Sequence, residues 1–160
     1  MVTKDRKRFR EQGFSLIELM IVIAIIGILI SVGVVGWRAA LRSGNETFAS
    51  QTLQKILEFQ AQYALAHHGE FGNFDQLIAD HALDDRFKGN NPAVSGYIFT
   101  MKVTPKSSTS QSDFSCNADP LNAEGVGASG RRHFYIDASV STVRENATQP
   151  ATASDQPIGQ

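Results

Sequence analysis

Cysteine is nearly missing from this sequence: Cys116 is alone among 160 residues. No intramolecular disulfide can form, so a folded part has to be held by packing, by a metal or by neighbours. Proline is sparse as well, with none before Pro92, so nothing of that kind interrupts a helix in the first half. Charge is absent from Leu19 to Trp37. A run of that length, rich in Leu, Ile and Val, is close to the ~20 residues a helix needs to cross a bilayer, and a helix satisfies its own backbone groups in lipid. Beyond residue 13 the chain holds ten basic and fourteen acidic side chains, which argues against a broad nucleic-acid footprint.

The residues of enzyme chemistry are also scarce. Gly125-Val126-Gly127-Ala128-Ser129-Gly130 lacks a Gly-Lys-Ser/Thr ending and opens no helix, so it is not a phosphate cradle. His67 and His68 are adjacent and point to different helix faces, while His81 and His133 are isolated, so no histidine metal site is expected. Cys116 has no partner for nucleophilic catalysis and reads as a small core residue of a strand. No enzyme is expected. Asn45-Glu46-Thr47 and Asn146-Ala147-Thr148 match the glycosylation sequon, a pattern short enough to arise by chance.

What is present begins with a basic segment. Residues 1–13 hold five basic and two acidic side chains, and positive charge before a membrane helix keeps that end cytoplasmic. Trp37, Arg38 and Arg42 close the apolar run as interfacial residues do. The anomaly is Glu18, an ionisable group at the helix entrance. Intramembrane charge costs roughly 2.5–3.5 kcal/mol, which makes it a functional residue by default.

Gly13-Phe14-Ser15-Leu16-Ile17-Glu18 followed by this apolar run resembles the type IV prepilin N-terminus in residue type, order and spacing. The resemblance implies a leader, residues 1–13, cut after Gly13 by a prepilin peptidase that then N-methylates Phe14. It implies a role in assembly for Glu18. Cleavage would expose an amine at Phe14 within one helical turn of Glu18. In a low-dielectric filament core both charges are costly alone, and pairing Glu18 with the amine of another subunit offsets both. An intramolecular pair, or a Glu18 lying among headgroups, is the alternative. Implied partners are identical subunits in a helical homopolymer, the peptidase/methyltransferase and an inner-membrane assembly platform. The implied location is the inner membrane, N-terminus cytoplasmic, and then an extracellular pilus. The other reading is a major-pseudopilin-like subunit of a type II secretion system, in a periplasmic pseudopilus.

The helix is expected to run far beyond the membrane. Ala49, Leu53, Ile56, Phe59, Tyr63 and Ala66 form an apolar stripe at spacings of three and four. Gly69 is its expected stop. Gly27, the Gly33/Gly36 pair and Ser43-Gly44-Asn45 are candidate bends. The family's usual proline is replaced by Val35, which removes the kink it would cause. Asn73 is an N-cap candidate for a short helix through Leu77 and Ala82. Gly96 to Thr104 is the best strand, with Tyr97, Phe99, Met101 and Val103 on one face. Asp113 to Asn117 is a second strand, and residues 132–137 and 140–144 a hairpin with Ala138-Ser139 in its turn.

The expected fold is α+β and pilin-like: one long N-terminal helix packed on a small antiparallel sheet. The segments are a leader (1–13), an assembly helix (14–44), a head (45–145) and a disordered or draped polar tail (146–160). Looser likeness to major pseudopilins makes Asp113, Asp119, Glu124 and Asp137 calcium candidates, although solvated loop acids are the plainer reading. Arg131-Arg132-His133 suits a nucleic-acid phosphate or an acid of a neighbouring subunit equally.

Overall fold

The computed structural model describes residues 13–159. The expected leader, Gly13 apart, lies outside them. The chain divides into two compact units, Met1–Arg38 and Ala39–Gln160.

In the first unit Gly13, Phe14 and Ser15 precede the start of α1, which runs Leu16–Ala66. Helical hydrogen bonding continues through Gly27, Gly33, Gly36 and Gly44, so none of the candidate bends breaks it. The apolar side chains of this unit are uncovered: Phe14 is 85% exposed, Ile23 60% and Ile28 66%. Apolar residues on every face leave no polar side to turn to water, the pattern of a helix meant for lipid or for other helices.

In the second unit α1 has a core face. Ala49, Leu53, Ile56 and Gln60 are fully buried, at spacings of four, three and four. The expected stripe is right at its start and drifts at its end, where Gln60 takes the buried position and Phe59 and Tyr63 are half-buried. The helix stops at Ala66, with His68 (φ 55°) and Gly69 (φ 86°) in the left-handed region. Gln60 ties that stop back to the helix. Its amide donates to the Gly72 carbonyl at 2.6 Å and accepts the Gly72 N–H at 2.9 Å. A Cβ at Gly72 would press on the Tyr63 ring at 3.1 Å, so any larger residue there would have to shift that ring.

Asn73 caps α2 (Phe74–Ala79) as expected, in a full capping box with Gln76. A 3-10 turn, Asp85–Phe87, follows. The described residues then form six strands: β1 Ala93–Val94, β2 Tyr97–Thr104, β3 Asp113–Pro120, β4 His133–Asp137, β5 Arg144–Asn146 and β6 Gln156–Pro157. All neighbours are antiparallel and follow chain order. Strand β3 continues three residues beyond the expected Asn117, because Ala118, Asp119 and Pro120 pair with Phe99, Ile98 and Tyr97.

One sheet face packs on the helix. Tyr97, Phe99, Phe114, Cys116, Ala118, Phe134 and Ile136 share a core with Ala49, Leu53, Ile56, Phe74 and Phe87. The alternation expected for β2 and β3 supplies this face. The Phe87 and Phe99 rings meet edge-on at 5.3 Å. The fold is therefore the expected α+β arrangement of one long N-terminal helix and an antiparallel sheet.

The tail takes the draped form, one of the two readings expected for it: Asn146 ends β5, Gln156–Pro157 form β6, and residues 147–155 loop between them. Strand β6 pairs with β5, Ile158 donates its N–H to Val143 at 3.0 Å, and Ala151 is buried while its carbonyl accepts Asn117 Nδ2 at 2.8 Å. Asp155 gathers the loop, accepting from Thr152 N (2.7 Å), Thr152 Oγ1 (2.9 Å) and Asn146 Nδ2 (2.8 Å). Polar residues that looked unable to bury anything organise the backbone instead.

Candidate functional site

The motif end comes first. Ser15 stands at the N-cap position of α1 and Glu18 three residues on. The Ser15 N–H donates to Glu18 Oε2 at 3.0 Å. This is half of a capping box: the acid reaches back to the cap residue's N–H and sits at the positive end of the helix dipole. Ser-x-x-Glu before an apolar run is that box's sequence signature. Among the described residues Oε1 has no donor, which leaves its lone pairs for another. Around Gly13 a Cβ would meet nothing within 4 Å, and the same holds at Gly27, Gly33 and Gly36, so among the described residues no contact requires glycine at those positions.

The calcium candidates are not brought together. Asp137 serves its own turn. Its Oδ1 accepts Ser139 N (2.8 Å), Ser139 Oγ (2.7 Å) and Val140 N (3.0 Å), and its Oδ2 accepts the Tyr135 hydroxyl (2.8 Å). Burial works to raise its pKa, but these bonds prevail and hold it below the usual carboxylate range. Burial and that same bond push the Tyr135 hydroxyl up to about 12. Asp137 thus fixes the Ala138-Ser139 turn by accepting its N–H groups. Asp119 binds His133 Nδ1 at 2.6 Å, Asp113 lies at the start of β3, and Glu124 lines a surface cavity. Among the described residues no three His, Cys, Asp or Glu side chains converge on a metal position.

The basic triplet is split by the fold. Arg132 is structural: its Nε donates to Glu46 Oε2 at 2.8 Å, its Nη1 to Glu145 Oε2 at 2.7 Å, and its guanidinium lies 5.5 Å from the Phe134 ring centroid. Burial opposes its charge, yet the two carboxylates outweigh that and hold it protonated. Tyr97 fixes the same corner by donating to the Arg132 carbonyl at 2.8 Å, and a Cβ at Gly130 would fall on that ring. Arg131 and His133 point elsewhere. With Arg42, Glu124, Ala128 and Thr148 they line an open cavity of about 380 Å³.

The remaining candidates are spent on structure. Asn45 donates to the Ser129 carbonyl at 2.8 Å, and Asn146 is held by Asp155 and accepts Thr148 N at 3.0 Å, so both sequon asparagines are turn and loop ties. Cys116 is fully buried, and burial drives its thiol pKa far up, away from any reactive thiolate. His67 stacks on Tyr63 at 3.8 Å and lies 3.9 Å from Asp80.

Known proteins resemble this chain at the motif end. Residues 8–34 match the family model described as the prokaryotic N-terminal methylation motif. Over 68 residues, 42% of this chain and 52% of the relative, the sequence is 38% identical to the type IV wide pilus major component PilA4 of Thermus thermophilus. The chain thus spans about half the length of that curated relative. No solved structure matches it. What this chain shares with known proteins is thus the methylation motif at the head of an apolar helix and a 68-residue stretch in common with a type IV pilus component.

Proposed function

We infer that this chain is a structural subunit of a type IV pilus or pilin-like filament. It enters the inner membrane as a prepilin, is cleaved after Gly13 and N-methylated at Phe14, and assembles by helix packing. The observation that carries this reading is the contrast within α1. Its first part exposes about a full bilayer's length of apolar surface that none of the described residues covers. Lipid covers it before assembly and the helices of other subunits cover it afterwards.

The geometry of the motif supports the chemistry. Gly13 and Phe14 are exposed and precede the helix, which suits cleavage of the peptide between them. Among the described residues glycine at 13 answers to no contact, which fits a residue selected by an enzyme's pocket. Glu18 is held over the start of the helix by Ser15, with one oxygen left for an ammonium. In a filament that ammonium is the Phe14 amine of a neighbouring subunit, and the pair sets axial register.

Mass spectrometry of filaments sheared from the cell tests this. The expected subunit begins at Phe14 and carries one added methyl group. An assembled subunit that still begins at Met1 would overturn the reading. Replacing Gly13 by a bulky residue is expected to leave a full-length membrane-bound precursor.

A further inference from the structure

The second unit carries unspent charge at the two ends of its helical segment. At one end Arg42 and Arg131 line the cavity described above, with His133, Thr148 and the 123–128 loop. Among the described residues neither guanidinium has an acid within 4.0 Å, although Arg132 beside them has two. One carboxylate, Glu124, also lines the wall, and Asp119 holds His133 Nδ1 at 2.6 Å, so two arginine charges face one free acid. Arg131 is exposed, and its N–H donates to Glu46 at 2.9 Å, which pins its backbone to the start of the packed helix.

At the other end, 24 residues and roughly 36 Å along α1 from Arg42, the helix finishes at Ala66 with its negative dipole end. Glu70 and Asp80 lie there, both exposed. Both act on Tyr63, whose hydroxyl is raised first by burial and then by these two acids, and Asp80 lies 3.9 Å from His67. The 58–85 stretch adds Glu58, Asp75, Asp84 and Asp85 and contains no Lys or Arg, Asp84 being paired with Arg86 just beyond it at 2.7 Å.

We propose that the Arg42/Arg131 cavity is the receiving half of a head-to-tail contact, and that in a filament it takes the Glu70/Asp80 end of a second copy. The inference rests on the filament reading above. Copies that are acidic beyond residue 13 repel each other in most orientations, so a basic pole facing an acidic pole selects one of them. The two surfaces differ, so the contact is heterologous. A heterologous contact that does not close on itself propagates as an open helical polymer. The same carboxylates would be drawn to the cavity during addition of each subunit, and reversing one charge replaces attraction by repulsion at every interface.

Charge reversal in the full chain, expressed in a filament-forming cell, tests it. Arg131→Glu is expected to leave insertion and cleavage intact and to lower sheared-filament yield about tenfold or more. Glu70→Arg with Asp80→Arg should do the same, and combining the reversals should restore filaments. Loss by Arg131→Glu that acid reversal fails to rescue would mean the cavity takes another anion, such as a lipid phosphate, and would overturn the contact. Wild-type yield from Arg131→Glu, in cells where Glu18→Ala abolishes filaments, would leave the filament reading standing and remove this one. A second measurement uses geometry. Thr148→Cys combined with Ala79→Cys, the latter exposed beside Asp80, treated on intact filaments with a short bismaleimide, should give a ladder of covalent multimers. Each single variant should stay monomeric, Cys116 being buried. Dimers from Thr148→Cys alone would show a symmetric contact, and no ladder from the double variant would likewise overturn the proposal.

Discussion

Only the second unit has places where packing asks for glycine, although most of its glycines, like those of the first, stand in open space. In the first, a side chain at Gly13, Gly27, Gly33 or Gly36 would meet nothing within 4 Å. In the second, a side chain at Gly72, Gly96 or Gly130 would run into Tyr63, Asn45 and Ser129, or Tyr97. The apolar residues divide the same way, exposed on the first unit and enclosed in the second. The first unit is thus written for contacts with other molecules, and the second mostly for contacts with itself. Substitutions in the first should alter assembly and leave the fold alone, and substitutions in the core of the second should do the reverse.

The largest effect expected from that division is at Glu18. Glu18→Ala should insert normally, since Leu19 to Trp37 is long enough without it, and should be largely cleaved. In a filament it would leave the Phe14 amine unpaired, a loss of ~3–5 kcal/mol recurring at every subunit. Immunoblots should show normal membrane protein and few or no sheared filaments. Normal filament yield would show that apolar packing alone drives assembly and that the capping bond to Ser15 is the residue's main role.

Next in size is Gln60, which bridges the helix to the chain that leaves it. Gln60→Leu keeps most of the volume but strands the Gly72 N–H and carbonyl. An unpartnered buried group costs roughly 1–3 kcal/mol, so thermal unfolding of the full chain in detergent should move down by several degrees. An unchanged melting temperature would mean that water or a shifted backbone satisfies Gly72.

A smaller effect should appear with acid. Asp137 is held below its ordinary pKa and gives full stabilisation above about pH 4, the unfolded carboxylate value. That contribution is lost as pH falls through the lowered folded value. Asp155 is shifted in the same direction by its bonds to Thr152 and Asn146. Thermal stability should therefore decline below about pH 4, and Asp137→Asn should flatten the decline. The smallest effect is expected from reductant: with one buried thiol, it should leave the melting temperature where it was.

Much of this molecule was legible in its sequence because the signals are periodic. The apolar run, the 49–53–56 helix face, the alternation in β2 and β3 and the Asn73 cap each repeat a known spacing, and each is found. What escaped reading is aperiodic. Gln60 occupies a core position by bonding a backbone that returns only after the helix ends. Asp137 fixes its turn through side-chain acceptors. The tail is tied to the sheet through Asn117, Asp155 and a single buried alanine, none of which composition signals. At the motif, Ser-x-x-Glu is both a capping signature and part of the prepilin pattern, so the Ser15–Glu18 bond is legible only from the first of the two. Arg42, Arg131 and His133 are far apart in the chain, and only the fold brings them to one cavity.

The strand order has a consequence for how the head is made. Every strand pairs with the one that precedes it in the chain, and the helix that carries the sheet comes before them all. A chain emerging N-terminus first can therefore build the sheet by accretion. Each new strand finds its template already in place, and no earlier strand has to wait for a later one to be inserted beside it. With no disulfide to form, the process requires no oxidant and has no mispaired thiols to unscramble. The edge of β5 stays open, however, until residues 156–157 arrive to cover it. The head is thus exposed to wrong partners for longest at its last step, when one short strand of two residues closes it.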